Sequence, residues 1–128
     1  MKIVKAVLLL ISSAFFSLAV AGEIKPYNQA QFDKLTAAGK PVLLAIHADW
    51  CPTCKVQKPI INDLMGQDAY KDVTTLMINF DADKLLLKQY KVRKQSTLIA
   101  FKGAKEVGRS LGDTTKAGIE SLVKKTVN

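Results

Sequence analysis

Cys51 and Cys54 are the only thiols in the chain, and Pro52 and Thr53 separate them. Trp50 and Lys55 flank the motif. It lies where an apolar run, Val42 to Ile46, gives way to a helical pattern. A thiol at a helix start meets unpaired backbone N–H groups and the positive end of the helix dipole. Both favour thiolate, the form that attacks disulfides. A second thiol one helical turn on can displace the product of that attack. The expected chemistry is thiol–disulfide exchange, with Cys51 the reachable nucleophile and Cys54 the resolving thiol. A bridge between residues three apart can staple nothing distant, so its value lies in being made and broken.

The elements that must hold this pair are readable from local patterns. Asn28 caps a first helix, with Gln31 three residues on and Phe32 and Leu35 on one face. Gly39 and Pro41 close that helix. Val42 to Ile46 runs apolar without alternation, as in a strand covered on both faces. The helix after the cysteines has Pro52 in its first turn. Val56, Ile60 and Leu64 recur at four-residue spacing, Ile61 and Met65 line a neighbouring row, and Pro59 inside the pattern should kink the helix. Val73 to Phe80 reads as a strand and Asp83 to Tyr90 as a short helix. Thr97 to Phe101 and Glu106 to Leu111 read as a hairpin across Lys102–Lys105. Asp113 or Thr114 should cap a last helix with Ile119, Leu122, Val123 and Val127 on its inner face. With a short first strand at Ile24, the expectation is an α/β domain: a central mixed sheet of four to five strands, flanked by helices on both faces.

The chain has 128 residues, and its first 21 read as a cleavable secretory signal. Lys2 and Lys5 precede an apolar stretch from Ala6 to Ala21, which ends in the small-residue pattern Ala19-Val20-Ala21. At sixteen residues that stretch is short for a membrane span of about 20. The expected domain is therefore 22–128, cleaved after Ala21 and periplasmic or secreted. Without Lys2 and Lys5 there are seventeen basic residues against eleven acidic ones, a net charge of +6. Such a surface suits solubility and acidic partners. No basic–aromatic repeat for stacking bases is present, so nucleic acid is not an expected partner.

Trp50-Cys51-Pro52-Thr53-Cys54-Lys55, after a buried strand and opening a helix with Pro59, resembles the active site of the thioredoxin superfamily. The resemblance spans nearly all of 22–128. It implies a thioredoxin-like fold and a protein-disulfide oxidoreductase needing no cofactor beyond the redox-active Cys51–Cys54 pair. It implies a substrate-docking loop at Gln95, Ser96 and Thr97, with Trp50, Pro52, Thr53 and Lys55 tuning the site. The implied partners are protein thiols and disulfides and a membrane-bound electron donor or acceptor, with the chain a monomer.

Three departures stand out. The family carries a cis-proline where this chain has Ser96. A cis bond before serine costs roughly 2.5–4 kcal/mol, so a trans peptide and a reshaped loop are expected. The family's buried acid on the strand before the motif is replaced by Ala45. His47 replaces an aromatic residue and shares Ala45's side of the strand, where an imidazole suits proton transfer. Lys55, Lys58, Arg93 and Lys94 are expected to ring the motif. Direction is unreadable from the motif, but a domain without the inserted or dimerisation domains of family oxidants and isomerases favours a reductase. Two other readings use the same residues: a copper carrier binding through the two thiols, and a redox-silent binding module. No closed metal site is expected, because Cys51, Cys54 and His47 fall short of the four ligands a structural zinc takes.

Overall fold

The computed structural model describes residues 21–128; the leader proposed for residues 1–21 lies, apart from Ala21, outside them. Five strands and four helices follow in the order β1 (Glu23–Pro26), α1 (Gln29–Ala37), β2 (Pro41–His47), α2 (Pro52–Met65), β3 (Thr74–Asn79), α3 (Lys84–Gln89), β4 (Thr97–Lys102), β5 (Lys105–Leu111) and α4 (Lys116–Val127), with a 3-10 turn at Asp68–Tyr70. The sheet order is β1-β3-β2-β4-β5. β3 runs parallel to β1 and β2, while β4 is antiparallel to β2 and β5. This is the expected mixed sheet, with the short first strand included.

β2 is the central strand, and its apolar run is buried from Val42 to Ile46. Alternation divides it between two cores. Leu43 and Ala45 pack with Ile61, Leu64 and Met65 of α2 and Ile119, Leu122 and Val123 of α4. Val42, Leu44 and Ile46 pack with Phe32 of α1 and Leu87 of α3 on the opposite face. Burying both faces of β2 fixes its register, because a one-residue slip would swap the two cores. The end of β2 at His47 is thereby held in one place, and the cysteine motif follows four residues later.

Caps set the helix ends. Asn28 Oδ1 accepts the Gln31 N–H at 3.0 Å, as expected for α1. α4 begins later than the sequence suggests: Thr115 is its cap, taking the Gly118 N–H on Oγ1 at 3.1 Å. Asp113 instead accepts the Thr115 N–H and hydroxyl at 2.8 and 2.7 Å, so its carboxylate supports the cap rather than being it. Val127 is exposed and Thr126 is buried, its hydroxyl satisfied by the Val123 carbonyl at 2.7 Å. A threonine that bonds back into its own helix can be buried, which a purely apolar pattern does not anticipate.

Candidate active site

Cys51 is the N-cap of α2 and Pro52 occupies its first turn. Proline fits there because its missing N–H would have no intrahelical partner. The Cys54 N–H points at Cys51 Sγ from 3.1 Å. The helix start thus supplies the donor that a thiolate at Cys51 would use. The two cysteines form a disulfide with Cα atoms 5.3 Å apart. Helix geometry brings them together, since residues three apart share a face.

Cys51 was expected to be reachable, yet in the disulfide form it exposes no surface. Its capping geometry turns the sulfur back over the first turn, into a small cluster with Ala48, Cys54 and Phe80. The exposed parts of the motif are Trp50, 55% accessible, and Pro52. The Trp50 indole N–H donates to Asp81 Oδ2 at 2.8 Å, which ties the ring to the loop after β3. Thr53 is half-buried and Lys55 is exposed.

The segment facing the sulfurs precedes β4. Among the described residues there is no cis peptide, so the 95–96 bond is trans, as the serine led us to expect. The reshaping lies at Ser96, whose φ of +64° is in the left-handed region. A non-glycine residue pays about 1–2 kcal/mol there. The conformation is held from both ends. The Ser96 N–H donates to the Ile46 carbonyl at 2.9 Å, and its carbonyl accepts the Gly112 N–H at 3.0 Å. Proline could not adopt this backbone, because its φ is fixed near −65° and it has no N–H to give Ile46. Ser96 is buried, and its Oγ lies 3.1 Å from Cys51 Sγ and 3.3 Å from Cys54 Sγ.

Gln57 is the residue that the sequence pattern missed. The four-residue row of α2 begins at Val56, which is 46% exposed. Ile61, Leu64 and Met65 are buried as the pattern implies, and Cys54 and Gln57 complete their face. Gln57 Nε2 donates to the Ser96 carbonyl at 3.2 Å and to the Asp113 carbonyl at 2.9 Å. One buried amide thus joins α2, the Ser96 segment and the turn before α4. Its signal in the sequence is position: it follows Cys54 by three residues and so shares that cysteine's face.

One hollow borders the motif and a second lies along the segment before β4. A cleft of about 710 Å³ is lined by His47, Cys54, Lys58, Asn62, Met77 and Asp83, among others. A second hollow of about 410 Å³ is lined by Arg93, Lys94, Thr97, Arg109 and Leu111. The four cations expected to ring the motif are therefore divided, Lys55 and Lys58 at the first hollow and Arg93 and Lys94 at the second. His47 reaches the same cleft as Cys54, but no side-chain hydrogen bond joins them. Gln95 is half-buried, and among the described residues no hydrogen bond engages its backbone. Thr97 Oγ1 donates to the Lys94 carbonyl at 2.7 Å, closing the turn that carries Gln95 and Ser96. Among the described residues no group of three or more His, Cys, Asp or Glu side chains converges as a metal site would require.

The Thioredoxin family model matches residues 23–125. The thioredoxin of Chlamydia muridarum is 36% identical over 98 residues, covering 77% of this chain and 93% of that protein. The thioredoxin of Chlamydia trachomatis is 33% identical over 102 residues, covering 80% and 97%. Among solved structures, Trxlp from Edwardsiella tarda superposes with a TM-score of 0.77 at 39% identity, covering 79% of this chain and 98% of that one.

Proposed function

The chain belongs to the thioredoxin family and is a thiol–disulfide oxidoreductase, and on that premise we propose that it is exported and reduces protein disulfides. The observation that carries the chemistry is Cys51 capping α2, with the Cys54 N–H on its sulfur and Cys54 itself within bonding reach. Reduction opens the ring and leaves Cys51 as the thiolate at the start of α2. The Cys51 thiolate attacks a substrate sulfur, forming a mixed disulfide and releasing one substrate thiolate. Cys54 then attacks Cys51 Sγ, the internal disulfide closes, and the second substrate thiolate leaves. Two electrons pass to the substrate, and the proton lost by Cys54 ends on a released thiol.

Docking falls to the turn at Gln95, Ser96 and Thr97. The free backbone groups of Gln95 suit pairing with an extended substrate segment, and Trp50 offers a flat apolar neighbour. Export rests on the basic start and the apolar Ala6–Ala21 stretch ending in Ala19-Val20-Ala21. Outside the cytosol the spent disulfide needs fresh electrons, and a membrane-bound donor is the partner that supplies them to a monomeric carrier. Reduction, rather than oxidation, is favoured by the short connection from α2 to β3, one 3-10 turn with no inserted domain.

Replacing Cys51 by serine tests the cycle. Turnover of a model protein disulfide should fall to the uncatalysed rate, while Cys54→Ser should accumulate a mixed disulfide visible by mass. Retained turnover in Cys51→Ser rejects the assignment. Direction is tested by equilibrating the pair with glutathione: a potential near about −270 mV supports a reductase, and one near about −120 mV reverses the direction.

A further inference from the structure

We propose that Ser96 is a catalytic residue whose single hydroxyl hydrogen stabilises the Cys51 thiolate first and the Cys54 thiolate second. The proposal rests on the exchange cycle above and assigns a role within it. Ser96 Oγ is within hydrogen-bond reach of both sulfurs, at 3.1 and 3.3 Å. A disulfide sulfur carries no hydrogen, so the hydroxyl is the donor in this state. A serine hydroxyl has one hydrogen to give, so it can serve only one sulfur at a time. It goes to whichever sulfur carries more negative charge, because hydrogen bonds to ions are the stronger ones.

The cycle moves that charge from one sulfur to the other. In the reduced pair the anion sits on Cys51, beside the Cys54 N–H. Once Cys51 is bonded to the substrate its sulfur is neutral, and the hydroxyl is released. Rotation about the serine Cβ–Oγ bond then turns the hydrogen to Cys54, the thiol that must ionise next. Ser96 keeps its proton throughout; the Cys54 proton passes to solvent and then to the leaving thiolate. No bond to oxygen forms or breaks.

The surroundings fit a hydroxyl held in place rather than one placed by chance. Ser96 is only 3% exposed, so water competes little for its hydrogen. Its backbone is pinned by Ile46, Gly112 and Gln57, at the cost of a left-handed φ. That backbone supplies the N–H and the φ that a proline at this site would lack. The strand before the motif offers Ala45 and no acid, which leaves Ser96 as the polar side chain in contact with both sulfurs.

The test uses the full chain and two variants that both lack the hydroxyl. Ser96→Gly relieves the cost of φ +64°, and Ser96→Ala keeps the Cβ and the backbone cost of the parent. Two quantities are read. One is the pH midpoint for alkylation of Cys51 by iodoacetamide. The other is the second, unimolecular phase of thionitrobenzoate release after attack on dithiobis(nitrobenzoate), in which Cys54 resolves the Cys51 adduct. In both variants we expect the midpoint to rise by about one unit and the second phase to slow about tenfold, the size of one lost hydrogen bond to an anion. Either quantity unmoved in Ser96→Gly overturns the hand-over. Changes confined to one variant do not come from the hydroxyl that both lack, and overturn it too. If the unaltered protein shows no second phase, the exchange cycle fails together with this role. A normal second phase in all three proteins removes the role of Ser96 alone.

Discussion

The two sides of the Cys51–Cys54 bond are built differently. On the β4 side a buried hydroxyl stands 3.1 and 3.3 Å from the sulfurs, and every backbone group of its residue is bonded. On the β3 side Cys54 borders an open cleft with Met77 and His47. Behind Met77 stands its register partner Ala45, packed into the apolar core. The cleft's carboxylates do not replace a buried acid there. Asp49 is exposed, and Asp83 is half-buried with its Oδ2 accepting the Asn79 N–H at 2.9 Å. Polar contact with the sulfurs is thus concentrated on one side. A chain without an acid beneath its resolving thiol still has one polar group in range, and that group has come from the loop opposite.

Placing an acid on the apolar side attacks this contrast most directly. Ala45 is 3% exposed in the core between β2, α2 and α4. Ala45→Asp would bury a carboxyl with no donor prepared for it, and we expect a loss of roughly 3 kcal/mol at pH 7. The sign of its pH dependence follows from desolvation. Burial raises the folded-state pKa above the unfolded value, so the folded chain holds the proton over a window where the unfolded one does not. Stability therefore falls as pH rises through that window, and the loss should shrink towards pH 4. Adding Met77→Lys, directly opposite in the β2–β3 register, should recover part of the loss at pH 7. Urea denaturation of both variants measures this. Equal losses at pH 4 and pH 7 would mean that the site is wetter than its packing implies.

Removing Gln57 loosens the polar side without touching a sulfur. Gln57→Leu keeps the volume near constant and deletes the donors to the Ser96 and Asp113 carbonyls. The Ser96 carbonyl retains the Gly112 N–H, so it is not orphaned. We expect a loss of about 2 kcal/mol in urea, in the range for buried hydrogen-bond partners left under-satisfied. Gln57→Glu should cost more, because a carboxylate cannot donate to either carbonyl and would be buried as an ion. A variant as stable as the parent would show that Ile46 and Gly112 suffice to hold the Ser96 segment.

These residues also mark how far the sequence could be read. Apolar periodicity and turn residues located the strands and helices of the described residues, because β2 and its neighbours are built from runs that can only be buried. The cysteine pair was legible for the same local reason: spacing, Pro52 and the following helix all concern adjacent residues. The trans bond before Ser96 followed from the cost of the alternative. What the pattern missed depends on contacts between distant segments. Gln57 is buried because two carbonyls, one from residue 96 and one from residue 113, converge on its amide. Val56 is exposed for the complementary reason, since the helix turns its polar Gln57 inward. The left-handed φ of Ser96 and its hydroxyl's position between two sulfurs need β2, β5 and α2 assembled at once. The burial of Cys51 likewise depends on Phe80, which only the packed sheet brings near.

The smallest expected effect lies at the cleft. His47 ends β2 on the Ala45 side and shares the cleft wall with Cys54. The charged groups facing that space are Lys55 and Lys58 from α2, Lys25 from β1, and Asp49 and Asp83 from the loops. A neutral imidazole there can accept the Cys54 proton through water, whereas a protonated one cannot. The ring makes no direct hydrogen bond to the sulfur, so it should contribute less than the hydroxyl on the other side. In His47→Gln we expect the resolving step to slow about threefold. An unchanged resolving rate would discard the relay and leave Ser96 as the side chain assisting Cys54.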